Sequence, residues 1–202
     1  MKRILFLGNS ITNHAPKPDI GWDGNWGMAA SAIEKDYVHL LLQRITNYDG
    51  VEPVAQIENI ADFEREYATF DITGKFKSYA NFNADIIVLA IGENVPGLET
   101  EDDKINFSNA ITALLTLLLK GNSPTLLVRS TFWADPVKDA ILQQKCFEAG
   151  GTFVDISGLC KNELNFARSE RDYEHAGVAA HPGDAGMAAI ADAIFNELKI
   201  NN

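Results

Sequence analysis

The sequence predicts an α/β fold of three layers, with helices on both faces of a five-stranded parallel sheet. Three observations predict it. Two short runs, Ile4 to Leu7 and Ala84 to Ile91, are apolar throughout rather than alternating, as strands covered on both faces must be. Strand-like runs alternate with stretches of helical spacing along the chain, which argues for a parallel sheet. The 202 residues, 46% hydrophobic and 22% charged, suit one domain with a full core, read here as 1–202.

The elements follow in order. Strand 1 is Ile4 to Leu7, broken by Gly8. Residues 13 to 30 carry three glycines, two prolines, Trp22 and Trp26, and form a connection long enough to expect a function of it. Ser31-Ala-Ile-Glu34 has the form of a capping box, and Ile33, Tyr37, Leu40, Leu41 and Ile45 follow at helical spacing, predicting a helix over about 32–47. Val51 to Ile57 reads as strand 2, with Pro53 placing it at an edge. A short polar helix to about Ala68 comes next, and residues 69–83 stay ambiguous. Ala84 to Ile91 is the strongest strand. Thr100, followed by three acids, starts a helix that runs to Lys120 and stops at Gly121, with Ile105 to Leu119 supplying its sheet face. Thr125 to Arg129 is strand 4, 136–149 a helix, and Thr152 to Ile156 strand 5. Residues 157–183 read as mostly irregular. Asp184 is placed as the cap of a last helix with Met187, Ile190, Ile194 and Leu198 inside. The flavodoxin-like order 2-1-3-4-5 then sets strands 1 and 3 side by side, so that Gly8-Asn9-Ser10 and Gly92-Glu93-Asn94 meet at one crevice, where open α/β sheets bind ligands.

Ser10, just past strand 1, is the candidate nucleophile; the alternative is a helix-capping serine. A serine nucleophile needs a base, a group that orients the base, and donors for an oxyanion. Of four histidines, His39 lies inside a helix. His14 is too close in sequence to fold back readily, and His175 is a further alternative. His181, in His181-Pro182-Gly183-Asp184 at the start of the last helix, is the favoured base. Asn94 follows the central strand and can aim its amide into the crevice; by itself it reads first as a turn residue, and only beside Ser10 and His181 as a donor.

Gly8-Asn9-Ser10, Gly92-Glu93-Asn94 and His181-Pro182-Gly183-Asp184, in this order, resemble the SGNH (GDSL-type) hydrolase superfamily over nearly the whole chain. The resemblance implies Ser10 as nucleophile, His181 as general base and Asn94 as an oxyanion donor beside the Ser10 N–H. Three departures stand out. Asn9 replaces the family's Asp. The glycine expected after strand 2 is missing, leaving the N–H of Ala61 as the best match and Gly27 as a weaker one. Val178 occupies the place of the triad acid, three residues before the histidine. The histidine is then oriented either by a main-chain carbonyl, giving a Ser-His dyad as in carbohydrate esterases the chain resembles, or by Glu174 or Asp172.

The expected reaction is hydrolysis of small acyl esters, acetyl above all. A carbohydrate alcohol is expected if Trp22, Trp26 and Trp133 offer their faces at the rim; otherwise they pin loops by burial. Two other readings stay open: a non-catalytic binding module on the same fold, and a phosphate or nucleotide binder using Gly8 to Ser10. Thr12 breaks the Gly-x-Ser-x-Gly elbow, and neither a dinucleotide glycine pattern nor a P-loop lysine is present. A net charge of −11 without a basic block argues against nucleic-acid or anionic-membrane partners. Cys146 and Cys160 are not spaced as a zinc site or disulfide framework, and no cofactor or metal is expected. As the sequence stands a cytoplasmic location is expected, or a periplasmic or secreted one if a leader has been removed. It carries no expectation of oligomeric state.

Overall fold

A computed structural model describes residues 1–200, with side chains through Leu198; the domain reading of 1–202 extends over Asn201 and Asn202, which lie outside the described residues. Five strands, β1 (Arg3–Gly8), β2 (Val54–Asn59), β3 (Ile86–Ala90), β4 (Thr125–Arg129) and β5 (Thr152–Val154), form one all-parallel sheet in the order β2-β1-β3-β4-β5. This is the predicted order. The strands that read as apolar throughout, β1 and β3, are its centre, and every residue of β3 is buried. The edge strand β2 is only half covered, in keeping with its more polar sequence.

Alternate residues feed two cores. Leu5, Leu7, Ile87, Leu89 and Val128 point to one face, packed by α2 (Ala61–Glu66), α3 (Ile72–Asn81), α4 (Glu101–Leu118) and α5 (Pro136–Glu148). Ile4, Phe6, Val88, Leu127 and Val154 point to the other, against α1 (Tyr37–Asp49) and α7 (Asp184–Ile200). Between β5 and α7 lie three 3-10 turns and the four-residue helix α6 (Ala176–Ala179). Among the described residues no helix is long and apolar enough to cross a membrane.

Local choices explain where boundaries move. The Ser31–Glu34 capping box does not form. Asp36 caps α1 instead, accepting from the His39 N–H at 2.8 Å while also holding the Gly27 N–H at 3.0 Å. A buried carboxylate that satisfies two orphan donors outcompetes an exposed serine. Ser31 turns to Asp184, and the first N–H groups of α7, on Asp184 and Ala185, are capped by Glu170, each at 2.8 Å. Asp184 is therefore inside the helix rather than its cap. Thr100 and Asp103 do form a reciprocal capping box on α4. Ile105 faces solvent rather than the sheet. The ambiguous stretch 69–83 contains α3, started by Asp71 accepting from the Gly74 N–H.

Register positions the site. Gly8 stands level with Asn59 of β2 and Ala90 of β3. Ser10, Ala61 and Gly92 therefore each lie two residues past the same line, at the carboxyl edge of three neighbouring strands. A side chain at position 8 would strike Thr12 and come within 2.9 Å of the Ala90 carbonyl oxygen, so the exit from β1 requires glycine.

Candidate active site

The turn that carries Ser10 is built from both sides. The Asn9 carbonyl accepts from the N–H groups of Thr12 and Asn13, and Thr12 Oγ1 meets the Tyr37 hydroxyl at 2.8 Å. Burial pushes the Tyr37 phenol up to about 12, so it stays a neutral partner. The Ser10 carbonyl accepts from Met28 N–H at 2.8 Å, which closes the 13–30 connection over the turn. The Ser10 N–H donates to no acceptor among the described residues.

Ser10 Oγ lies 2.8 Å from His181 Nε2, and His181 Nδ1 lies 2.7 Å from the Gly177 carbonyl oxygen. A carbonyl can only accept, so Nδ1 carries the proton and Nε2 is left to receive one from Ser10. The local backbone explains why that carbonyl is free. In a continued α-helix Gly177 O would take the N–H of residue 181, four positions on. At the end of α6 the turn tightens, His181 N–H goes to Val178 O at 3.0 Å, and Gly177 O is released to the ring. Burial lowers the His181 pKa below its ordinary value, which favours the neutral base. Asp172 and Glu174 are exposed, and neither is bonded to the His181 ring. His14 is tied through Nδ1 to its neighbour's carbonyl, and His175 is exposed at the rim.

Asn94 arrives from the loop after β3. Its Nδ2 donates to Glu64 Oε2 at 2.8 Å, and its backbone N–H lies 3.3 Å from Glu64 Oε1. Glu64 Oε1 also accepts from Gly92 N–H at 2.6 Å and from Asn9 Nδ2 at 3.3 Å. Asn9 Nδ2 in turn lies 2.7 Å from Glu93 Oε2, and Glu93 Oε1 is paired with Arg129 Nη1 at 2.6 Å. The Arg129 and Glu93 side chains are 0% and 2% exposed. A buried chain thus runs Arg129–Glu93–Asn9–Glu64–Asn94. It contains two carboxylates and one guanidinium. Burial works to raise the Glu93 pKa, but Arg129 outweighs it and holds Glu93 ionised. Glu64 is raised, by burial and by the charge of Glu93.

This chain also accounts for the asparagine at position 9. Its amide donates to both glutamates, whereas an aspartate would set a third carboxylate against them. Glu64, Glu93, Arg129 and the function of Asn9 are the residues that sequence reasoning missed. Glu64 sits in Asp62-Phe63-Glu64-Arg65-Glu66, which reads as a polar surface helix.

Ala61 reaches the same edge, but its N–H donates to Asn59 Oδ1 at 3.0 Å and so is already engaged. Gly27 N–H is held by Asp36. Ser10, His181, Asn94 and Ala61 line one cavity of about 440 Å3, with Asn59, Asp62, Arg65, His14 and His175 giving it a polar rim and Ile20, Met28 and Val178 an apolar part. None of the three tryptophans is among its lining residues. Trp22 and Trp26 pack edge to face, with indole N–H groups on the His14 and Ala30 carbonyls. The Trp133 and His181 rings meet in a T-shaped pair with centroids 5.2 Å apart, and Trp133 donates to the Ala180 carbonyl. Their positions are those of loop pins. Among the described residues no group of three or more His, Cys, Asp or Glu could hold a metal ion.

No family model matches the chain, and no curated protein sequence does. Solved structures do. One is a "putative GDSL-like lipase" from Bacteroides ovatus ATCC 8483, which aligns with a TM-score of 0.64 at 14% identity over 98% of both chains. A second "putative GDSL-like lipase", from Bacteroides uniformis ATCC 8492, aligns with a TM-score of 0.61 at 14% identity, over 98% of this chain and 96% of that one. A family two carbohydrate esterase from Cellvibrio japonicus aligns with a TM-score of 0.57 at 19% identity, over 98% of this chain and 61% of that one. At such identities the likeness is one of architecture: the chain has the fold of the SGNH/GDSL-type hydrolases.

Proposed function

We propose that this chain is a serine esterase that removes small acyl groups, acetyl above all, from polar alcohols of the carbohydrate class through a Ser10–His181 dyad. The observation that carries the proposal is the Ser10 Oγ to His181 Nε2 contact of 2.8 Å, with the far side of the ring anchored on Gly177 O, inside a cavity at the carboxyl edge of the sheet. Neighbours on the same fold, two named lipases and one a carbohydrate esterase, support ester hydrolysis in general.

Ser10 Oγ attacks the ester carbonyl carbon as its proton passes to His181 Nε2. The carbonyl oxygen becomes an oxyanion, received by the Ser10 N–H and the Asn94 amide. His181 then gives its proton to the alcohol oxygen as the C–O bond breaks. Water repeats the sequence on the acyl-enzyme, releasing the acid and restoring Ser10. The Gly177 carbonyl orients the imidazole but supplies less stabilisation to the imidazolium than a carboxylate would. The Ala61 N–H joins the oxyanion site only where Asn59 Oδ1 yields it. A polar rim of Asn59, Asp62, Arg65, His14 and His175 suits a hydroxylated alcohol better than a fatty chain.

The test is hydrolysis of p-nitrophenyl acetate and butyrate, with acetate release from acetylated xylan, by wild type, Ser10→Ala and His181→Ala. Both variants are expected to fall to background, and acetate to exceed butyrate. Equal rates for wild type and Ser10→Ala would overturn the mechanism and favour the binding-module reading.

A further inference from the structure

The buried carboxylate of Glu64 has no part in the bond-making steps, yet it joins the loop that carries Asn94 to the turn that carries Ser10. It accepts hydrogen bonds from Gly92 N–H, Asn94 N–H, Asn94 Nδ2 and Asn9 Nδ2. Asn9 is the residue before Ser10, Asn94 is the oxyanion donor of the proposed mechanism, and Gly92, at φ +125°, starts the loop that carries Asn94. We infer that Glu64 is the positioning residue of the oxyanion hole, locking the Asn94 amide and the Ser10 turn to one common acceptor. The inference rests on the esterase reading.

All four partners of Glu64 are N–H donors, and both its oxygens act only as acceptors. Asn94 Nδ2 carries two protons. One is committed to Glu64 Oε2, which fixes the amide's rotation and keeps its nitrogen rather than its oxygen on the Glu64 side; the other is left for the cavity that Asn94 lines. Asn94 Oδ1 is directed to the Arg65 guanidinium, 3.4 Å away. Without Glu64, only the longer Arg65 contact of 3.4 Å distinguishes the two ends of the amide. A preorganised donor is worth far more than one that must turn over during the reaction. Glu64 is itself held in place: Asn9 ties it to Glu93, which Arg129 neutralises.

Glu64→Gln keeps the shape and removes the lock. Whichever way the glutamine amide is placed, its own N–H groups face a donor, either Gly92 N–H or Asn94 Nδ2. The experiment compares kcat and KM for p-nitrophenyl acetate, and Tm, in wild type, Glu64→Gln, Asn94→Ala, the double variant and Ser10→Ala. Glu64→Gln is expected to lower kcat by about 10–100-fold with KM within about threefold, and Asn94→Ala by about 10²–10³. In the double variant the two losses are expected not to multiply: adding Glu64→Gln to Asn94→Ala should cost less than about threefold more. A merely structural Glu64 would lower Tm while leaving the kcat of folded protein unchanged, or would give multiplying losses; either result overturns the inference. So would an Asn94→Ala variant as fast as wild type. In these cases Ser10→Ala still falls to background and the esterase reading survives. Ser10→Ala as active as wild type would overturn both.

Discussion

The two arms that meet at Ser10 are built by opposite means. The base arm is light. His181 follows a four-residue helix, is oriented by one backbone carbonyl and packs in a T-shaped pair with Trp133. The oxyanion arm is heavy. Asn94 is the visible end of a buried series of hydrogen bonds that runs from Arg129 Nη1 through Glu93, Asn9 and Glu64, while Arg129 Nε and Nη2 have no partner among the described residues. A general base must gain and lose a proton each cycle, so its surroundings have to tolerate both states. A donor to an oxyanion must do nothing but stay still. The contrast between a lightly held imidazole and a rigidly held amide fits the two tasks that the proposed mechanism gives them.

The comparison breaks most visibly if the charge at its buried end is removed. Arg129→Met is expected to cost about 3–5 kcal/mol, because Glu93 is left buried without its partner. Urea unfolding checks it, and a loss under about 1 kcal/mol would mean that the pair contributes little. Asn9→Asp comes next. It brings in the residue that the SGNH resemblance leads one to expect, yet here it is expected to cost about 1–3 kcal/mol, since an acceptor replaces the amide that donates to both Glu64 and Glu93. An unchanged unfolding midpoint would contradict the donor count.

The base arm is probed by pH. Burial lowers the His181 pKa, so protonation, which removes the base, sets in only below the ordinary 6.5. The kcat/KM for an uncharged ester should therefore be flat near neutral pH and fall through one inflection below 6.5; an inflection above it would contradict the assignment. The smallest effect is expected at the exposed acids. Asp172→Ala and Glu174→Ala should each leave kcat within about twofold, the scale of a ~0.5 kcal/mol surface change, because Gly177 O already holds the ring. A tenfold loss in either would make it an orienting acid.

Much of this is legible in the sequence. Apolar runs mark β1 and β3, the alternation of elements implies a parallel sheet, and the flavodoxin-like order then indicates where Ser10 and Asn94 meet. His181 is reachable as the histidine at the start of the last helix. Other features are not legible, for physical reasons. Glu64 is followed by Arg65 and Glu66, and its burial depends on contacts distant in sequence, from Asn9 and from the loop after β3. Asn9 reads as a tolerable replacement because its two partners lie 55 and 84 residues away in sequence. The carbonyl that replaces the triad acid depends on a one-residue tightening of α6, which no residue type announces. The tryptophans have two readings, and burial and indole hydrogen bonds, visible only in three dimensions, separate them.

The most direct test of the dyad is covalent capture of Ser10. The protein is treated with a fluorophosphonate ester and the adduct is located by peptide mass spectrometry. A single adduct on the peptide bearing Ser10 is predicted, absent in Ser10→Ala and formed about 100-fold or more slowly in His181→Ala, because the hydroxyl is unreactive without its base. An unlabelled Ser10, or labelling of wild type and His181→Ala at the same rate, would contradict it.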